Sequence, residues 1–150
     1  MQLGDGMRFE WRRFDEFSTD ALYAVLQFRQ AIFVVEQRCA YPDLDGRDRN
    51  AEHLLLWVDG ALAGYLRLIP EADAARVAIG RVSVGSRWRR QGLARHLMTE
   101  ALSRCHSRYP DHAVTLAAQT YLMPFYQGFG FRPTSPPYDD YGVPHIDMRL

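Results

Sequence analysis

Hydrophobic and polar positions along the chain change period several times, and each change marks an element. MRFEWRRF sets Phe9, Trp11 and Arg13 against Arg8, Glu10 and Arg12, the alternation of a half-buried strand. Residues 1–6 before it read as a loose lead-in. Leu22, Val25, Leu26, Ile32 and Phe33 form an apolar stripe that predicts a helix, capped by Thr19 or Asp20 and running to about Phe33. Arg29 falls on that stripe, out of keeping with its neighbours. After the polar loop EQRCAYPDLDGRDRNAE, two apolar runs, HLLLWV and ALAGYLRLI, joined by Asp-Gly, predict a hairpin. RVAIGRVSVG reads as another strand. SRWRRQGLARHLM opens a helix to about Arg108, with Leu93, Leu97, Met98, Ala101, Leu102 and Cys105 inward. AVTLAAQ predicts a buried strand, YLMPFYQGF a short helix stopped at Gly128 or Gly130, and the proline-rich tail two short strands. This alternation, without repeats, predicts one α/β domain over residues 7–150 with a mixed sheet.

Composition narrows the class. The 150 residues are 47% hydrophobic and 24% charged, as in an ordinary globular domain. Eighteen basic and eighteen acidic side chains cancel, which argues against a nucleic-acid binder, where a basic excess is usual. Cys39 and Cys105 form no disulfide framework and no CxxC zinc pattern. No apolar run reaches membrane-spanning length, and MQLGDGMRFEW has no signal-peptide pattern. The expectation is a cytoplasmic protein with free thiols, bound to no membrane.

Against this neutral background, Arg87, Arg89, Arg90 and Arg95 crowd a predicted helix start, where the backbone dipole favours acidic side chains. Gly92 stands where alanine would be the better helix former. One reading is a solvated basic turn. The other is an anion site. A strand-to-helix turn exposes unpaired N–H groups, glycine admits a ligand to the backbone, and arginines add bidentate donors. The phosphate-binding fingerprints GxxxxGK[ST] and GxGxxG are both absent.

The pattern that is present, Arg89-x-x-Gly92-x-Ala94 after the Val-rich strand 77–84, resembles the pyrophosphate loop of the GCN5-related N-acetyltransferases (GNAT). Gln119-x-x-Leu122-x-x-x-Tyr126, followed by Gly130-Phe131, has the spacing of that family's later motif, with Gln and Leu where Asn and Ala are usual. FRQAIFVVEQ, AEHLLLW, AAQTYLMPFYQGFGF and GVPHIDMRL look like the ElaA-like branch. The resemblance implies a mostly antiparallel mixed sheet splayed between strands four and five and flanked by helices. It implies that Val82, Ser83 and Val84 bond the pantetheine arm of acetyl-CoA through their backbone. Arg89, Arg90, Gln91, Gly92, Leu93 and Ala94 would hold the pyrophosphate, Gln119 would add a side-chain contact, and Tyr126 would sit beside the sulfur. No metal is implied. Gly80 and Gly85 are candidates for the bulge that opens the sheet, or ordinary strand-end glycines.

Acetyl transfer to an amine needs a proton acceptor, donors for the oxyanion, and an acid for the departing thiolate. Tyr126 is the acid candidate, against the alternative of a core tyrosine. His53 and Glu36 are the base candidates. The structural alternative for His53 is a strand-end histidine, and for Glu36 a partner of Arg29 along a continuing helix. Glu52 and His145 rank below them. Asp139 and Asp140 belong to a solvated turn or recognise a cationic acceptor. DLDGRD reads as an Asx turn, since Gly46 comes too early for a calcium loop. Nothing visible lowers the pKa of Cys39 toward a nucleophile. The expected function is an acetyl-CoA-dependent N-acetyltransferase working through a ternary complex. The rivals are a non-catalytic acyl-CoA-binding module and a nucleic-acid module. The acceptor is a small-molecule or peptide amine, with its identity and the oligomeric state open.

Overall fold

The run HLLLW is apolar at successive positions because its strand is covered on both faces. In β2 (Glu52–Val58), Leu54 and Leu56 enter a large core with Leu66, Leu68, Leu97 and Met98, while Leu55 enters a smaller one with Val25 and Tyr65. The computed structural model describes residues 6–150, so residues 1–5 of the expected lead-in lie outside the described residues.

β1 (Met7–Arg13), β2, β3 (Ala61–Glu71) and β4 (Arg76–Val84) form an antiparallel meander. β5 (Ala113–Gln119) joins β4 in parallel, and β8 (Val143–Arg149) continues the sheet beyond it. The short strands β6 (Arg132–Pro133) and β7 (Tyr138–Asp140) both pair with β8. This is the mixed, mostly antiparallel sheet that was expected.

Among the described residues, three α-helices flank it. α1 (Thr19–Gln30) is capped by Ser18, whose Oγ accepts from the Ala21 amide at 3.1 Å, one residue before the expected caps. It does not stop at Phe33 but widens into a π turn, Ala31–Glu36. α2 (Leu93–Arg108) covers β2, β3 and β4. It comes so close to β3 that a Cβ on Gly64 would lie 3.0 Å from Leu97 Cδ1. The arginine stretch is not its first turn: Ser86–Trp88 form a separate 3-10 turn, and the helix begins only at Leu93. α3 (Met123–Gln127) follows β5. Among the described residues, no helix is long and apolar enough to cross a membrane.

The sheet opens where expected. β4 and β5 pair only from Arg76↔Ala113 to Ile79↔Leu116, then diverge. The bulge responsible is neither Gly80 nor Gly85. The β3–β4 register shifts between Arg67↔Gly80 and Tyr65↔Ser83, and Arg81 takes the left-handed φ of +54° inside that shift.

Charge holds this strained residue. Arg81 Nε lies 2.8 Å from Asp43 Oδ1, an ion pair without hydrogen-bond alignment, and Arg81 Nη2 donates to the Asp43 carbonyl at 3.2 Å. Asp43 also accepts from Arg29 at 3.1 Å, Asp48 from Arg29 at 2.7 Å and Arg67 at 2.9 Å, and Asp45 from Arg67 at 2.5 Å. Arg29 and Arg67 are buried. This explains the arginine on the apolar stripe: Arg29 pairs with the DLDGRD loop and not with Glu36. The loop also contains the expected Asx turn, with Asp45 Oδ1 accepting from the Arg47 amide at 3.1 Å.

Burial by itself would raise the Asp45 and Asp48 carboxyls, yet the arginines they touch hold both below the usual carboxylate range. The unfolded chain, with carboxyls near pKa ~3.9, therefore binds protons first as the pH falls. Stability from the network is complete above that value and is lost as the pH drops through the folded pKa values. Asp48→Ala leaves two buried guanidinium groups short of an anion and should cost about 3–5 kcal/mol at pH ~7 by urea unfolding. Its deficit relative to the parent should shrink below pH ~4. A cost under about 1 kcal/mol would show that the pair is replaceable.

Candidate active site

Divergence of β4 from β5 leaves two openings that meet. One is a cleft of about 530 Å³ between the second half of β4, the loop before α2, the π turn and α3. The other is a chamber of about 120 Å³ on the side of the β7–β8 hairpin. Phe33, Gln37, Val82, Gln119, Leu122 and Tyr126 line both, so the gap is a passage through the sheet.

Val82, Ser83 and Val84 border the larger cleft on a stretch of β4 that β5 has left. The Ser83 side chain is turned away, its Oγ donating to the carbonyls of Arg81 at 3.0 Å and Tyr65 at 3.3 Å. At the far end, Gly92 is the N-cap of α2 with φ of +81°. A side chain there would have strained backbone and would project into open space. Glycine has nothing with which to cap the helix, and the first intrahelical bond runs from the His96 amide to the Gly92 carbonyl at 3.2 Å. The N–H groups of Leu93, Ala94 and Arg95 thus have no helical partner, and all three residues border the cleft. Arg89 and Arg90 precede this helix end and line the same cleft, as does Gly92; Gln91 lies between them in the loop. With the helix starting later than expected, Arg89 and Arg90 stand before the dipole's positive end on the cleft, where they reinforce it toward an anion.

Arg89 reaches across the mouth. Its Nε donates to the Val84 carbonyl at 3.1 Å and its Nη2 to Glu36 Oε2 at 2.7 Å. The π turn delivers Glu36 to this point, on the side of the anion loop. Glu36, a base candidate from the sequence, borders the larger cleft and not the smaller chamber.

Tyr126 stands at the junction of the two openings. Its ring packs edge-on against Phe125 and Phe131, at 5.1 and 6.3 Å between centroids. Its hydroxyl makes no hydrogen bond to any described residue, unlike that of a satisfied core tyrosine. Burial pushes its pKa up to about 12, so the phenol is protonated at neutral pH. Gln119 lies beside it, its amide donating to Gln37 Oε1 at 3.4 Å.

Two base candidates fall away on geometry. His53 is buried, with Nδ1 2.6 Å from the Tyr65 hydroxyl and Nε2 2.9 Å from the Asp48 carbonyl, and it borders neither opening. Burial lowers its pKa, and it serves as a link between β2 and the aspartate loop. Glu52 is taken by Arg104 at 2.6 Å, Arg108 at 3.2 Å and the Tyr109 hydroxyl. His145, ranked low from sequence, lines the smaller chamber, opposite Gln119 in the β5–β8 register. Its Nδ1 lies 2.9 Å from the Val143 carbonyl, which can only accept, so the tautomer that fits is the one with the proton on Nδ1 and the lone pair on Nε2. The only sequence signal for it was its place in GVPHIDMRL. Strand pairing across the tail brought it to the passage. The described residues contain no group of His, Cys, Asp and Glu arranged to hold a metal. Both cysteines are free and buried, and burial raises the Cys105 thiol to about 11.

The model of the acetyltransferase (GNAT) domain family matches residues 19–150. Protein ElaA of Escherichia coli (strain K12) is 42% identical over 144 residues, covering 93% of this chain and 94% of that protein. The crystal structure of Escherichia coli ElaA superposes with a TM-score of 0.90 at 40% identity, over 95% of this chain and 98% of that one. An acyl-CoA N-acyltransferase from Pseudomonas aeruginosa gives a TM-score of 0.90 at 38% identity, again over 95% and 98%.

The contact between Glu36 and Arg89 yields a test that needs no acceptor. A carboxylate on Arg89 competes with an incoming anion. Glu36→Gln should tighten inorganic pyrophosphate by up to about fivefold, the scale of an exposed ion pair, whereas Arg89→Ala should weaken it. Calorimetric titration at low salt reads both; weaker binding by Glu36→Gln would show that the carboxylate organises the loop instead.

Proposed function

The chain belongs to the GNAT acetyltransferase family, whose members use acyl-CoA, and on that premise we propose that it transfers an acetyl group from acetyl-CoA to an amine by direct attack in a ternary complex. The observation that carries this reading is the passage through the sheet, with the buried Tyr126 lining both of its openings.

In this reading the unpaired stretch of β4 at Val82, Ser83 and Val84 takes the pantetheine arm as a strand takes a neighbour. The amides from Arg89 to Ala94, with the side chains of Arg89 and Arg90, hold the pyrophosphate. Gln119 orients the thioester end. The amine enters from the smaller chamber. His145 Nε2 takes the proton that makes the amine nucleophilic, directly or through one water. The amine nitrogen then bonds to the thioester carbon, and a β4 backbone N–H stabilises the oxyanion. The carbon–sulfur bond breaks, Tyr126 gives its proton to the sulfur, the acylated nitrogen passes its remaining extra proton to the tyrosinate, and solvent takes the proton held by His145. The products are the N-acetyl amine and the CoA thiol.

A phenol near 12 is a weak acid toward an ordinary thiolate, whose thiol has pKa ~8.5. The same dry surroundings raise the basicity of a thiolate formed beside it, which brings the pair closer to balance. With free, buried cysteines and no helix of membrane-crossing character among the described residues, we read the enzyme as cytoplasmic.

An acceptor screen that reads free thiol from acetyl-CoA tests the proposal. With an acceptor in hand, Tyr126→Phe should lower the single-turnover rate by roughly 10²-fold. CoA affinity should change far less, because the anion loop supplies most of it. His145→Gln should lower kcat/KM with CoA affinity likewise retained. A folded Tyr126→Phe protein at the parent rate would remove the general acid. A protein that binds acetyl-CoA and acetylates nothing would be the non-catalytic acyl-CoA-binding module instead.

A further inference from the structure

Resting on the acetyl-transfer reading, we infer that the acceptor is a small diamine-like molecule: a primary amine on a short alkyl stem whose second, cationic group is held by Asp140 and the ring of Tyr141 at the chamber mouth.

The charges around the chamber select a cation. Arg81 lines it, but Arg81 is neutralised by Asp43 at 2.8 Å and Asp45 at 3.4 Å. Asp140 also lines it and has neither an ion pair nor a side-chain hydrogen bond to any described residue. The neighbouring Asp139 has a different job: its Oδ2 accepts from the Gly142 amide at 3.1 Å and closes the turn. The chamber thus presents one uncompensated charge to an entering molecule, and that charge is negative.

The hairpin tip is built to keep it there. Asp140↔Val143 is the last pair of β7 and β8, so Tyr141 and Gly142 form a two-residue turn, with φ of +50° and +84°. Asn, Asp or Gly suits the first of these positions, and tyrosine there is strained. The exposed ring of Tyr141 lines the chamber together with Asp140 and lies 5.9 Å from the ring of Tyr41. Cys39 Sγ donates to the Tyr141 carbonyl at 3.5 Å, which ties the tip to the loop after the π turn. A carboxylate that accepts hydrogen bonds and an aromatic face at the same mouth suit an alkylammonium group. The chamber's volume of about 120 Å³ is well below that of pockets for drug-sized ligands, which limits the reacting arm to a slender stem.

The test compares diaminobutane with butylamine, equal in stem length and different in the second ammonium group. With acetyl-CoA saturating, kcat/KM should favour diaminobutane by at least about tenfold, or about 1.4 kcal/mol. In Asp140→Asn the preference should fall toward the statistical factor of about two given by two equivalent amines, and Asp140→Lys should reverse it. A parent preference of two or less overturns the inference, as does a preference that survives Asp140→Asn. So does a lysine peptide that exceeds diaminobutane in kcat/KM. These outcomes differ from failure of the underlying reading, in which no amine at all releases thiol from acetyl-CoA.

Discussion

Three arginines in and beside the interior are tolerable only if anions meet them, and that requirement organises the functional half of the molecule. Asp43, Asp45 and Asp48 come from one loop and hold Arg29 of α1, Arg67 of β3 and Arg81 of β4. Exchanged for well-packed apolar residues, such a network often loses little stability. Its effect here is geometric. It pins the loop after the π turn against the bulge, and it keeps Arg81 in a left-handed conformation that an arginine seldom adopts. That bulge parts β4 from β5, so the passage depends on charges that line it only at one point.

The parting also separates the two substrates in the proposed reaction. An anion loop and an unpaired strand edge face one side, and a small chamber with one unpaired carboxylate faces the other. Tyr126 stands where they join. The pair Glu36–Arg89 fits this division: the π turn brings a carboxylate to the anion side, where it occupies a guanidinium that a pyrophosphate would claim.

Much of this was legible in the sequence because it rests on local rules. HLLLWV-DG-ALAGYLRLI specified its hairpin through turn chemistry and period. The apolar stripe from Leu93 to Cys105 specified the face of α2, and the spacing from Gln119 to Tyr126 pointed to the residue at the junction. Signals that depend on distant partners were harder to read. Arg29 was visible as an anomaly, but its partners lie 14 and 19 residues away in a loop that resembled a turn. His53 looked like a base because nothing local announced that Tyr65 and the Asp48 carbonyl would take both nitrogens. His145 reached the passage only through β8 pairing with β5, and the bulge fell on Arg81 because charge, not glycine, supports it there.

In the proposed reaction the cofactor threads the gap opened by this bulge. A crystal structure with bound CoA tests it most directly. The expected density places the pyrophosphate on the amides before and at the start of α2, the pantetheine arm along Val82 to Val84, and the sulfur within hydrogen-bonding reach of the Tyr126 hydroxyl. CoA bound anywhere else, or a gap that stays closed around Tyr126 with CoA on the outer surface, would contradict it.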